Sequence, residues 1–159
     1  MQEMVIYGVS FDMVGKQPIV LLKTIDGNKF LPIWIGHPEA AAILMKLQGA
    51  TTPRPMTHDL IHDMISELDA TCTRVAVTEL KENTFFALIY LNVGGEVMAV
   101  DARPSDAIAL ALRADAPIYV AQSVLEQAQT ISPDSDDQDE KMKKWFEQLD
   151  TEDLGKYKM

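Results

Sequence analysis

The sequence predicts an α+β fold: internally duplicated βββα units forming a mainly antiparallel sheet with packed helices. Three observations carry this expectation. Strand-like segments are separated by the pairs Asp26-Gly27 and Gly94-Gly95, which supply the positive φ that tight hairpins need. Apolar residues switch to helical spacing after His37-Pro38 and after Arg103-Pro104, and proline suits a helix start, where its missing N–H would have no partner anyway. The turn pair and the proline recur at offsets of 68 and 66 residues in the same order of elements, as an internal repeat would place them.

Each element follows in order. Residues 5–11, Val-Ile-Tyr-Gly-Val-Ser-Phe, have strand composition, Gly15-Lys16-Gln17-Pro18 is a turn, and residues 19–24 are a second strand. Residues 30–35 form a third, in which Pro32 implies an edge position or a bulge because it lacks a ladder donor. A helix opens at His37-Pro38-Glu39 and runs to about Leu47. After a loop over 49–56, Thr57 is the expected N-cap of a helix in which Leu60, Ile61, Met64, Ile65 and Leu68 recur at helical spacing. Strands are expected at 73–80, 84–91 and 96–101. The helix from Ser105 is apolar on nearly every side, which marks a buried helix. A short strand at 117–120 and a short helix at 123–128 complete the body.

The chain therefore divides into one domain over 4–130 and a C-terminal segment over 131–159. That segment starts with the acidic linker Ser132-Pro133-Asp134-Ser135-Asp136-Asp137. Met142, Trp145, Phe146 and Leu149 then fall on one face of a short amphipathic helix, expected to dock on the body or on a second subunit.

Composition narrows the function. The chain has 159 residues, 47% apolar and 24% charged, as in an ordinary soluble domain. No apolar run approaches the roughly 20 residues of a membrane span, and Met1-Gln2-Glu3-Met4 lacks the basic start of a secretory signal. The single cysteine, Cys72, rules out an internal disulfide, which fits a cytoplasmic location. It opens a strand and reads as a structural thiol rather than a nucleophile. The net charge is −10, and the residues before Ser132 hold fifteen acids against nine bases. Such a body is a poor non-specific binder of nucleic acid, whose phosphates are met chiefly by Lys and Arg.

The chemistry gathers at helix entrances. Arg54-Pro55-Met56-Thr57-His58-Asp59 and Arg103-Pro104-Ser105-Asp106 each set an arginine and an acid beside a helix start. Helix N-termini attract anions, and arginine meets phosphate with a planar fork. The candidate set is Glu39, His58, Asp59, Asp101 and Asp106 with Arg54 and Arg103. Its carboxylates and imidazole suit Mg²⁺ or Mn²⁺, and its arginines suit a transferring phosphoryl group. Taken singly, Asp101 and Arg103 read as a strand-end ion pair and Glu39 as an acid complementing a helix dipole. His58 and His62 stand four apart, as in zinc proteases, but Asp59 replaces the usual glutamate and no third ligand follows. There is no nucleophile elbow, Walker loop or dinucleotide fingerprint.

These motifs together resemble the bifunctional nuclease family. The resemblance is carried by Leu31-Pro32-Ile33-Trp34-Ile35-Gly36, by Glu39-Ala40 and by Arg54-Pro55-x-Thr57-His58-Asp59-Leu60. The long run Asp101-Ala102-Arg103-Pro104-Ser105-Asp106-Ala107-Ile108-Ala109-Leu110-Ala111 closes it. It covers residues 4 to 130 and identifies the chain as a bacterial member. Plant members of the family are described as nucleases acting on RNA and DNA. The resemblance thus implies a nuclease, a hydrolase of DNA or RNA phosphodiesters. Some relatives carry a C-terminal module similar to the UvrB/UvrC interaction motif, which the acidic linker and single short helix here do not match.

On this reading Asp59, Asp101, Asp106 and Glu39 bind the metal, His58 is general base or ligand, and Arg54 and Arg103 bind phosphate. The competing reading is a non-catalytic module that binds a small anion or a protein. Exposed β-edges also favour a homodimer.

Overall fold

The computed structural model describes residues 1–10, 17–128 and 130. The expected C-terminal linker and helix, and the turn at 15–16, lie outside the described residues. The elements are β1 (Gln2–Ser10), β2 (Ile19–Thr24), β3 (Phe30–Trp34), α1 (His37–Leu47), α2 (Thr57–Glu67), β4 (Ala70–Lys81), β5 (Thr84–Val93), β6 (Glu96–Ala102), α3 (Pro104–Ala114), β7 (Ile118–Val120) and α4 (Gln122–Gln127). The succession β-β-β-α therefore occurs twice, with α2 between.

All seven strands join one sheet in the order β3-β2-β1-β7-β4-β5-β6. Two antiparallel meanders, β1-β2-β3 and β4-β5-β6, flank the short β7, which pairs antiparallel with β1 and parallel with β4. The sheet is thus mixed but mostly antiparallel. Gly94 and Gly95 both have positive φ, 60° and 86°, as the type I′ turn between β5 and β6 requires. Gly27 has φ 78°, and the Asp26 carboxylate ties its hairpin by accepting from Thr24 Oγ1 and from the Asn28 N–H. Pro32 lies on β3, which ends the sheet, so its missing N–H breaks no interior ladder.

β5 alternates buried Phe85, Ala87 and Ile89 with more open Phe86, Leu88 and Tyr90, the pattern of a sheet with one wet face. Ile108 and Leu110 of α3 are buried with Val75, Val77 and Phe85 in one core. Cys72 is free and buried, and burial raises its thiol pKa, so it behaves as the structural thiol the sequence suggested.

α2 differs from the usual amphipathic helix. Its only buried residue is His58, while Leu60, Met64 and Leu68 of the apolar stripe are 50%, 57% and 75% exposed. Its first turn is held by polar contacts instead. Thr57 is the first helical residue rather than the cap; Met56 is the cap, and Asp59 Oδ2 reaches back to accept the Met56 N–H at 3.0 Å.

Candidate functional site

Three helices enter the site with an acid at the same place. Counting from the caps Gly36, Met56 and Arg103, the third residues of α1, α2 and α3 are Glu39, Asp59 and Asp106. An acid there complements the partial positive charge of the helix start. α3 packs against both α1 and α2, so tertiary packing decides which of these acids meet.

Glu39 and Asp106 meet on Arg103. The Arg103 guanidinium donates from Nε to Asp106 Oδ2 at 2.9 Å, and its Nη2 lies 2.8 Å from the same oxygen. Nη2 also donates to Glu39 Oε1. These two carboxylates, Glu39 first, raise the Arg103 pKa above its ordinary value. The Arg103 side chain is nevertheless 52% exposed, so part of its donor fork meets solvent.

Asp106 also binds His58, 48 positions earlier in the chain: Nε2 and Oδ1 are 2.9 Å apart. An ionised carboxylate only accepts, so Nε2 carries the proton of this bond. In a neutral imidazole that leaves Nδ1 as the basic nitrogen. Glu39, Arg103, Asp106 and His58 are therefore one continuous polar chain. It lines a cleft of about 750 Å³ whose other walls include Asp101, Met45, Met56, Ile61, Ile89 and Val100.

Two of the seven expected residues do not join this cleft. Asp59 turns to Arg113, which donates from Nε to Asp59 Oδ1 at 2.6 Å. The Met56 N–H, and then Arg113, lower the Asp59 pKa below its ordinary 3.8. Asp59 lines a separate pocket of about 250 Å³ with Lys46, Thr51, Thr52 and Arg113. Arg54 is exposed in the loop before α2 and is absent from the lining of the cleft. The cleft thus brings together Glu39, His58, Asp101, Arg103 and Asp106 and leaves out Arg54 and Asp59. Asp59 is taken up instead by the Met56 N–H at its own helix start and by the distant, buried Arg113 guanidinium.

Arg113 is the residue sequence reasoning passed over. Only 6% of its side chain is exposed, and it also donates to the Ala109 and Ala42 carbonyls at 2.8 and 3.1 Å. It ties α1, α2 and α3 together behind the cleft. A charge ending the apolar run Ala107-Ile108-Ala109-Leu110-Ala111-Leu112 was its signal, since a charge on a buried helix needs partners.

The donor set does not fit a ready-made divalent metal cage. Both Asp106 oxygens and one Glu39 oxygen are engaged by N–H donors. Among the described residues, no group of three or more His, Cys, Asp or Glu is placed to hold an ion. Within the same residues, no helix is long and apolar enough to cross a membrane.

The polar chain joins the two segments singled out in the sequence, around His58 and around Arg103-Asp106. An uncharacterised protein of Mycobacterium tuberculosis is 42% identical over 139 residues, covering 87% of this chain and 83% of that one. Bifunctional nuclease 1 of Oryza sativa subsp. japonica is 28% identical over 109 residues, and bifunctional nuclease 2 of Arabidopsis thaliana 30% over 105. The chain spans about a third of the length of these two plant proteins, 33% and 32%. The family model of the bifunctional nuclease domain matches residues 20–133, and the chain belongs to that family.

Proposed function

We propose that the cleft between α1, α2, α3 and β6 hydrolyses nucleotide phosphodiester bonds, the linkage of DNA and RNA. The observation that carries this is the unbroken chain Glu39–Arg103–Asp106–His58 along one wall. The nuclease names of the plant relatives support it. His58, with Nε2–H fixed on Asp106, is the general base that takes a proton from the attacking water. The water oxygen bonds to phosphorus, the bond to the leaving oxygen breaks, and that oxygen takes a proton from solvent. Arg103 stabilises charge on the non-bridging oxygens. Glu39 touches Arg103 alone in this chain and acts as its positioning residue. Asp101 completes the wall.

The test is hydrolysis by purified protein beside His58→Ala, Asp106→Ala and Arg103→Ala, with and without Mg²⁺, Mn²⁺ or a chelator. Loss of at least about 100-fold in the first two variants, the usual size of a general-base contribution, supports the reading. Equal activity in all proteins marks a contaminant and ends it. Stimulation by metal, lost on chelation, points instead to metal binding by Asp101, Asp106 and Glu39, three of the four acids expected to hold it. Ligand binding with no turnover favours the non-catalytic module.

The proposal includes a homodimer built on β6. This edge strand has exposed Val97, Met98 and Val100, and its free ladder groups can pair antiparallel with the same strand of a second copy, closing a two-fold contact.

A further inference from the structure

The cleft is short of cations. Among the described residues, Arg103 is the one Lys or Arg in its lining, against the carboxylates Glu39, Asp101 and Asp106. Arg103 already holds two of those acids. The buried guanidinium of Arg113 is spent on Asp59 and two backbone carbonyls behind the cleft. A polyanion needs a row of phosphate contacts, each supplied by Lys, Arg or N–H groups. Here a second or third phosphate would meet carboxylates instead. Apart from Thr57 and His58, the rest of the lining is apolar and includes Met45, Met56, Ile61, Ile89 and Val100. Such a wall takes an uncharged, flat or apolar body, and about 750 Å³ is within the range of small-molecule sites.

We infer that this cleft is built for a small phosphodiester bearing one negative charge, of the class of a dinucleoside monophosphate, and not for a long nucleic-acid strand. The phosphate sits on the open part of the Arg103 fork, and one nucleoside lies against Met56, Ile61 and Val100. This rests on reading the cleft as the phosphodiester site. A monoanionic diester suits it better than a dianionic monoester, because each added charge is opposed by three carboxylates near one guanidinium.

The experiment compares three probes on the wild-type protein: a dinucleoside monophosphate, a long single strand and a duplex. Binding is followed by NMR shift changes and hydrolysis by product analysis, each across a salt series. The expected result is that the dinucleoside monophosphate binds, that length brings no more than about a tenfold gain, and that log affinity for the single strand falls with log salt at a slope near −0.7, the value for one phosphate contact. Ile61→Ser, at an exposed position, is expected to raise KM for the small diester several-fold with kcat unchanged. A slope several times steeper with strong preference for the long strand overturns the inference, and so does failure of the small diester to bind. Binding without hydrolysis upholds the substrate class and removes the catalytic reading, so the two fail separately.

Discussion

Arg113 donates from Nε to Asp59 Oδ1 at 2.6 Å, and this pairing draws the α2 acid away from the cleft that holds His58, its neighbour in sequence. Adjacent residues on one helix thus serve different purposes. His58 goes to Asp106 and the cleft; Asp59 goes to the guanidinium that fastens three helices.

Removing that fastening is expected to destabilise the protein. Arg113→Met leaves Asp59 without its charged donor and the Ala42 and Ala109 carbonyls without theirs. A loss of about 2–3 kcal/mol is expected, the scale of hydrogen bonds to charged groups. Urea denaturation measures it, and Arg113→Lys should recover part, because lysine restores the charge without the fork.

The depressed Asp59 pKa makes a signed pH prediction. The folded state holds this carboxylate below its ordinary 3.8, so below neutral pH the unfolded chain binds its proton first. The stabilisation is therefore fully present above the unfolded value and is lost as pH falls through the folded one. The stability difference between wild type and Asp59→Asn should be flat above about pH 5 and shrink in more acid solution, below the ordinary Asp range. A difference that grows with acidity contradicts the pairing.

Gly36 gives a way to disturb the site with little effect on the fold. Its backbone, φ −74° and ψ 157°, suits any residue, but a Cβ there would strike Glu39 Oε2. The Glu39 carboxylate end must then move, and Arg103 loses one of its two anchors. Gly36→Ala is expected to lower kcat/KM about tenfold, the equivalent of about 1.4 kcal/mol. Its Tm should stay within a few degrees of wild type. A large Tm loss with unchanged kcat/KM would show that Glu39 serves the fold alone.

Met98→Lys tests the β6 contact. Met98 is 53% exposed on an edge strand, so lysine costs the monomer little, and lysine on an edge discourages strand pairing. Sedimentation should show a dimer for the wild-type protein and a monomer for the variant. Wild-type protein that is monomeric at every concentration removes the homodimer.

Much of the architecture was legible in the chain. β2 and α1 fall where their residues place them, because Ile19-Val20-Leu21-Leu22 and the Pro38 start are local signals. Pro32 correctly marks a sheet edge for the same reason. The apolar stripe of α2 misleads in part: Leu60, Met64 and Leu68 stay open, Ile65 packs against the core, and the helix start is held through His58 and Asp59.

By itself the sequence determined that Glu39, His58, Asp59, Arg103 and Asp106 stand at helix starts, since proline and capping preferences act within a few residues. It also determined the acid excess that leaves the cleft with few cations. Only the tertiary structure decided how these groups pair. Glu39 and Arg103 are 64 positions apart, His58 and Asp106 48, and Asp59 and Arg113 54. Asp106 meets Arg103 and Asp59 meets the Met56 N–H within three residues, but nothing in the local sequence selects these distant partners. Packing of α1 and α2 against α3 makes that selection. It puts one arginine in the cleft and the other behind it.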